Sequence, residues 1–487
     1  MPATKHPTRL RNRATLIFVI SLLSYAYFYS GSDWNQGSHS DLAQALAFQN
    51  TVRIDSYHQN TGDKAFYEGH YYSDKAPGLS FAAAPIVYLA TAMGRAAHIS
   101  PAYFAHYVLY VSTLLTSSLA TAFAGSVLFL LLIRWGLSIS AAAFAALTFG
   151  LGTPMWVYAT HFWGHALAAA CLICAFATAD RLREPATKSF RLTMAIVVGA
   201  TAGWAVVTEY PAAIPAVLLA ALALIHLRRS VPNAAEFARP VVGVAVAALV
   251  CLTILLVYQN AAFGSPFRLG YSYTVNFGET VRQGAWGITY PKWGALRKLL
   301  LGPRCGILLF SPVLIAAPFG FAVLWKQQAL RWSAVTAAAI FLYYLLFNAS
   351  YVSWAGGSSF GARYLSPGLP FACLFLAPAW EHGGKAAKVV LSAAALSGIA
   401  VSLAGVAATP LVDAGVVSPI RFSFSHFLRG QLYTSGGATN FGRVLGLNSL
   451  ASLLPLFVIW AVAIVIWSLQ SRALSTSAHS TPTSGQP

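Results

Sequence analysis

Long apolar runs separated by short polar breaks recur along almost the whole chain. They lie near residues 14–30, 106–133, 136–150, 163–180, 192–208, 212–226, 240–258, 306–324, 332–349, 366–380, 388–408 and 448–470. A helix needs about 20 apolar residues to cross a bilayer, so the pattern predicts an all-α, polytopic transmembrane helical bundle of about 12 spans. The run at 79–95, "LSFAAAPIVYLATAMGR", is also apolar. Its status decides the topology. If it crosses, "RLREPATKSFR" (181–191) and "HLRRS" (226–230) fall outside the cell; if it is interfacial or re-entrant, both fall inside with the basic N-terminal tail. Basic residues concentrate in short cytoplasmic segments, which favours the second arrangement.

That choice divides the chain into a cytoplasmic basic tail (1–13), a first transmembrane helix (14–30) and a large outer loop with an interfacial or re-entrant helix (31–105). A transmembrane core (106–258), an outer aromatic and basic loop (259–305), C-terminal transmembrane helices (306–470) and a disordered cytoplasmic tail (471–487) complete it. No small-residue cleavage site follows the first apolar run, so it reads as a retained helix rather than a removed signal peptide.

Composition agrees. Of 487 residues, 57% are hydrophobic and only 9% charged, far below the roughly 25% charged of a soluble domain. The net charge of +18 would point to nucleic acid in a soluble protein; here the membrane topology explains it, and no nucleic-acid partner is expected. Among the short outer loops, Arg363 is the single basic residue. Cys171 and Cys174 lie inside an apolar run and read as small apolar side chains rather than a redox or metal pair.

The acidic residues are distributed less evenly. There are 13, and six of them (Asp33, Asp41, Asp55, Asp63, Glu68, Asp74) fall in the first outer loop. Carboxylates gathered at the membrane surface of a chain this apolar point to a polar site. Within the same loop, "EGHYYSDKAPGLS" (68–80) sets His70, Asp74 and Lys75 at the mouth of an apolar segment. Pro77 presets its backbone and Gly78 allows close approach, fixing the turn into that segment. The plain alternative is an interfacial lysine that snorkels and pairs with its neighbour.

A first helix, then a long outer loop carrying "SDLAQALA" (40–47) and "YYSDKAPGLSFAAAP" (71–85), resembles the GT-C superfamily of polyprenyl-phosphate-dependent glycosyltransferases, such as the aminoarabinose transferases of lipid A and the protein O-mannosyltransferases. The resemblance implies a bacterial inner-membrane enzyme with its catalytic loop on the periplasmic face. It would transfer sugar, with inversion, from a polyprenyl-phosphate donor to a lipid, glycan or protein acceptor. Lys75 would grip the donor phosphate as a compact charge, with Arg363 and Arg304 as further phosphate ligands. Asp74, Asp63 and His70 would orient the site.

The reaction also needs a carboxylate to take the acceptor proton. The resembled families carry an Asp-Glu pair just after the first helix, where this chain reads "SDWNQGSHSD" (32–41), with Asn35-Gln36 in the corresponding place. Asp41 is therefore the first choice of base, followed by Asp33 and Asp55. Asp41 also stands where the short predicted helix 40–48 would begin, so an N-cap role is open.

His161 and His165, four apart on one helical face, could hold a divalent metal together with a loop carboxylate, or simply make hydrogen bonds. No other cofactor is implied. Glu209, in "TEYPA" (208–212), sits at an outer helix end, where it would pair with a base or touch acceptor. Arg268, Arg297, Lys298 and Arg304 would act as a lid on phosphate or as interfacial anchors. Glycines 356, 357 and 361 beside Arg363 leave room for a ligand. The rival class is a transporter or lipid-linked-glycan flippase or ligase; transporters bury ionisable groups at the membrane midplane, and these runs contain almost none.

Overall fold

The computed structural model describes residues 7–231, 233–432 and 437–479. The first tail residues, 1–6, and the end of the expected disordered tail, 480–487, lie outside the described residues. The chain is a helical bundle with only two small two-stranded ribbons among the described residues. In chain order the elements used below are α1 (Pro7–Ala26), β1 (Phe28–Tyr29), α2 (Trp34–Gln49), β2 (Lys64–Tyr67), β3 (His70–Ser73) and α3 (Gly78–Ala96). Then follow α4 (Pro101–Arg134), α5 (Ile139–Leu151), α6 (Gly164–Arg181), α7 (Lys188–Thr208), α8 (Ala213–Ser230), α9 (Ala234–Phe263), α10 (Arg331–Ser350), α11 (Lys385–Ala408), β4 (Thr439–Asn440) and α12 (Leu454–His479).

Among the described residues eight helices are long and apolar enough to cross a membrane, α3 among them. Several expected crossings are shorter or broken. The run at 306–324 becomes short helical pieces around Pro312 and Pro318, and the run at 366–380 breaks at Pro367 and around Phe375. Proline removes a helical hydrogen-bond donor and ends or restarts a helix. The C-terminal segment expected to be disordered from 471 instead continues α12 to His479.

The bundle centres on α6, whose alanine-rich sequence is buried over most of its length. Small side chains let backbones approach closely where lipid supplies no hydrophobic drive. The same logic joins α7 to α9: a Cβ on Gly199 would sit 2.2 Å from the Val244 carbonyl oxygen, and one on Gly203 would meet Cys251.

Two hydrogen bonds fix the relative direction of α1 and α4. Tyr110 donates to the Ala26 carbonyl, and Ser126 to that of Ala14. Gly94, near the end of α3, packs against Phe104 and Tyr107 of α4, while Gly78 at its start packs on Thr208 at the end of α7. One end of the bundle is basic: Arg134 and Arg181 meet Glu184, and Asp180 takes hydrogen bonds from Trp135 and Ser333.

Candidate active site

The register of the β2–β3 hairpin builds the centre of the site. Lys64 pairs with Ser73, so Asp63 and Asp74 follow side by side at the open end of the ribbon. Lys75 folds back between them, its Nζ 2.9 Å from Asp63 Oδ2 and 3.1 Å from Asp74 Oδ1. The segment after α9 locks this arrangement. Val275 donates its N–H to the Lys64 carbonyl, Asn276 Nδ2 to that of Gly62, and Thr274 Oγ1 lies 3.3 Å from Asp74 Oδ2. Gly78 is required where it stands, since a Cβ there would come within 2.6 Å of Thr208 Oγ1. Burial alone would lower the Lys75 pKa, but Asp63 and Asp74 outweigh it and hold the ammonium charged. Burial pushes the Asp74 carboxyl up in spite of Lys75.

A second group of side chains comes from α1's end, the start of α6 and the 351–370 segment. Asp33 is the N-cap of α2: its Oδ1 accepts from the Gln36 N–H at 2.7 Å and from Trp163 Nε1 at 3.3 Å. With no cation paired to it, burial raises the Asp33 carboxyl to about 6. The Arg363 guanidinium lies 5.1 Å from the Trp163 ring centre and donates to Tyr364 Oη at 2.7 Å. Burial would depress it, but Tyr364 and Asp63 keep it firmly charged. His165 Nδ1 sits 3.0 Å from Glu209 Oε1; against burial, His165 draws the Glu209 carboxyl below its ordinary range.

Asp33, Asp63, Asp74, Lys75, Glu209 and Arg363 all line one cavity of about 1130 Å³. Leu269, Tyr343 and Phe347 line the same cavity. Tyr271 lies over Lys75 at 6.0 Å.

The other sequence candidates lie elsewhere. The helix containing Asp41 begins at Trp34, six residues before the predicted start. Asp41 is thus mid-helix and buried, taking a hydrogen bond from Asn60 at 3.0 Å, with burial raising its carboxyl to about 7. Asp55 pairs with His70 at 2.8 Å on the outer edge of the hairpin, away from the cavity lining. Arg304 spends its donors on the carbonyls of Gly357, Val412, Asp413 and Val416. Arg268 binds Tyr67 and the Phe263 carbonyl, and Lys298 stacks on Trp354; neither they nor Arg297 line the cavity. His161 Nδ1 contacts the Val157 carbonyl oxygen at 2.6 Å while His165 turns to Glu209, so the two do not converge. Among the described residues no three His, Cys, Asp or Glu side chains are grouped to hold a metal.

The glycines at 356, 357 and 361 carry positive φ angles of 84°, 64° and 80°, so they serve the turn that presents Arg363. Trp163, Tyr271, Tyr351 and Tyr364 complete the site. No feature of the sequence separated them from ordinary interfacial aromatics.

The fold has a counterpart among solved structures. ArnT from Cupriavidus metallidurans bound to undecaprenyl phosphate matches 94% of this chain and 75% of its own, at 16% identity and a TM-score of 0.54. The two chains share a fold. ArnT in the apo state gives a TM-score of 0.52 at 17% identity, over 94% of this chain and 74% of that one. No protein-family model and no curated protein matches the sequence. The likeness carried by "SDLAQALA" and "YYSDKAPGLSFAAAP" thus holds at the level of the ArnT fold, and with its apolar helices the chain is a multi-pass membrane protein.

Proposed function

We propose that this protein is a membrane glycosyltransferase that moves a sugar from a polyprenyl-phosphate donor to an acceptor on the outer, periplasmic face. The observation that carries the reading is the cavity that Asp33, Lys75 and Arg363 share with apolar and aromatic side chains, in a chain with the ArnT fold. An amphiphilic donor fits such a cavity: its phosphate meets fixed cations while its lipid chain lies along Leu269, Tyr343 and Phe347.

The roles follow from placement. Lys75 and Arg363 neutralise the phosphate as the bond from its oxygen to the anomeric carbon breaks. Asp63 and Asp74 hold the Lys75 ammonium at a defined point rather than bind substrate themselves. Asp33 takes the acceptor proton as the acceptor oxygen or nitrogen attacks that carbon, because it is the cavity carboxylate that no cation neutralises. A single base opposite one leaving phosphate corresponds to one displacement with inversion. Glu209, held by His165, is placed to meet a hydroxyl of sugar or acceptor.

Transfer in reconstituted vesicles from a radiolabelled polyprenyl-phosphate sugar to cell-envelope acceptor lipids and glycans tests this. Wild type should transfer label and Asp33→Asn should not, with a loss on the order of 100-fold or more for removal of a general base. Asn retains the N-cap, so folding is preserved. Full activity of Asp33→Asn would exclude it as the base.

A further inference from the structure

At the basic end of the bundle, far along the helices from the Lys75 cavity, a second hollow of about 410 Å³ opens between α4, α6 and α7. Leu130, Phe190 and Met194 form its apolar flank, and Arg134 and Arg181 close one end. Leu130 and Phe190 are 44% and 37% exposed, on helices long enough to cross a membrane, so the apolar flank faces lipid.

The charges at this end do not balance. Glu184 faces both Arg134 and Arg181, and Asp180 takes Arg183. Three guanidinium groups therefore share two carboxylates. Arg134 is the least satisfied: its Nε is 3.9 Å from Glu184 and makes no hydrogen bond, and its Nη2 reaches the Ala177 carbonyl oxygen only at 3.4 Å. The Arg181 guanidinium lies 5.5 Å over the Phe190 ring, at the lip of the hollow.

We infer that this cleft binds an anionic phospholipid, its headgroup phosphate between Arg134 and Arg181 and its first acyl carbons along Leu130, Phe190 and Met194. Excess positive charge in a hollow between membrane helices, open to lipid, is the combination that captures acidic headgroups. The chemistry distinguishes the ligand from a zwitterionic lipid, whose own cation cancels the attraction. It also distinguishes it from inorganic phosphate, which gains nothing from the apolar flank. The inference does not depend on the activity proposed for the other end.

Native mass spectrometry of the full-length protein, released from detergent with added phosphatidylglycerol or phosphatidylcholine, tests it. Wild type should retain phosphatidylglycerol selectively, and millimolar inorganic phosphate should not displace it. Arg134→Gln with Arg181→Gln should weaken retention on the order of tenfold. Leu130→Trp, which fills the hollow and leaves its charges alone, should also weaken retention and covers the case in which the arginine variant misfolds. Equal retention of phosphatidylcholine, displacement by inorganic phosphate, or unchanged retention in Leu130→Trp would each overturn the assignment.

Discussion

Asp33 and Asp41 lie eight positions apart, one half-buried and one buried, and desolvation raises both carboxyls. What separates them is direction. Asp33 caps α2 and lines the cavity, whereas Asp41 points into protein against Asn60. In the proposed mechanism the ionised form of Asp33 acts as the base, so transfer should rise with pH through about 6 and level off above it. Stability should run the other way. The folded carboxyl sits above its ordinary value of 3.8, so the folded state holds its proton more tightly than the unfolded one. The stability that this proton contributes is present below pH 4 and lost between about 4 and about 6. A rate profile paired with thermal unfolding at each pH checks both, and the Asp33 contribution to the stability trend should vanish in Asp33→Asn. A rate flat across pH 5 to 7 would contradict the assignment. The sequence offered both carboxylates and ranked Asp41 first, at a helix start that the structure places at Trp34 instead, because the start of a helix shifts easily by several residues when judged from its apolar pattern.

Elements carry the next level. The hairpin register brings Asp63 and Asp74, eleven residues apart, onto one lysine. Adjacent Asp74 and Lys75 were visible in the sequence, and Asp63 was named beside them; its pairing with Lys75 was not visible, since a short strand pair without a strong turn signal leaves register undetermined. Arg304 shows the opposite failure. Its charge and position suggested phosphate, but four loop carbonyls claim its donors. The α7–α9 contact is equally specific. Gly199→Val would drive its side chain into the Val244 carbonyl, 2.2 Å from the Cβ position. Because backbone cannot step aside, thermal unfolding of the purified variant should show a loss of about 1–3 kcal/mol, the scale of overpacking. Wild-type stability would show that the two helices are free to separate.

For the whole molecule, the apolar periodicity made the helical architecture legible, while proline breaks and buried short helices blurred the number of crossings. The structure separates a carboxylate-rich cavity end from an arginine-rich end. Basic residues stay on the cytoplasmic side, so the account places the cavity outside. Single cysteines at Glu68 and at Lys188, both in exposed or half-exposed positions, should label differently with a membrane-impermeant thiol reagent applied to intact cells in a background lacking the five native cysteines. Position 68 should react and position 188 should not; the reverse pattern would invert the topology.

If Lys75 and Asp33 act on one donor at different steps, binding of a polyprenyl phosphate to purified protein separates them most directly. Lys75→Gln should weaken binding at least tenfold through loss of a charge-assisted contact, while Asp33→Asn should bind as wild type does and yet fail to transfer. Unchanged binding in Lys75→Gln would show that the phosphate sits elsewhere.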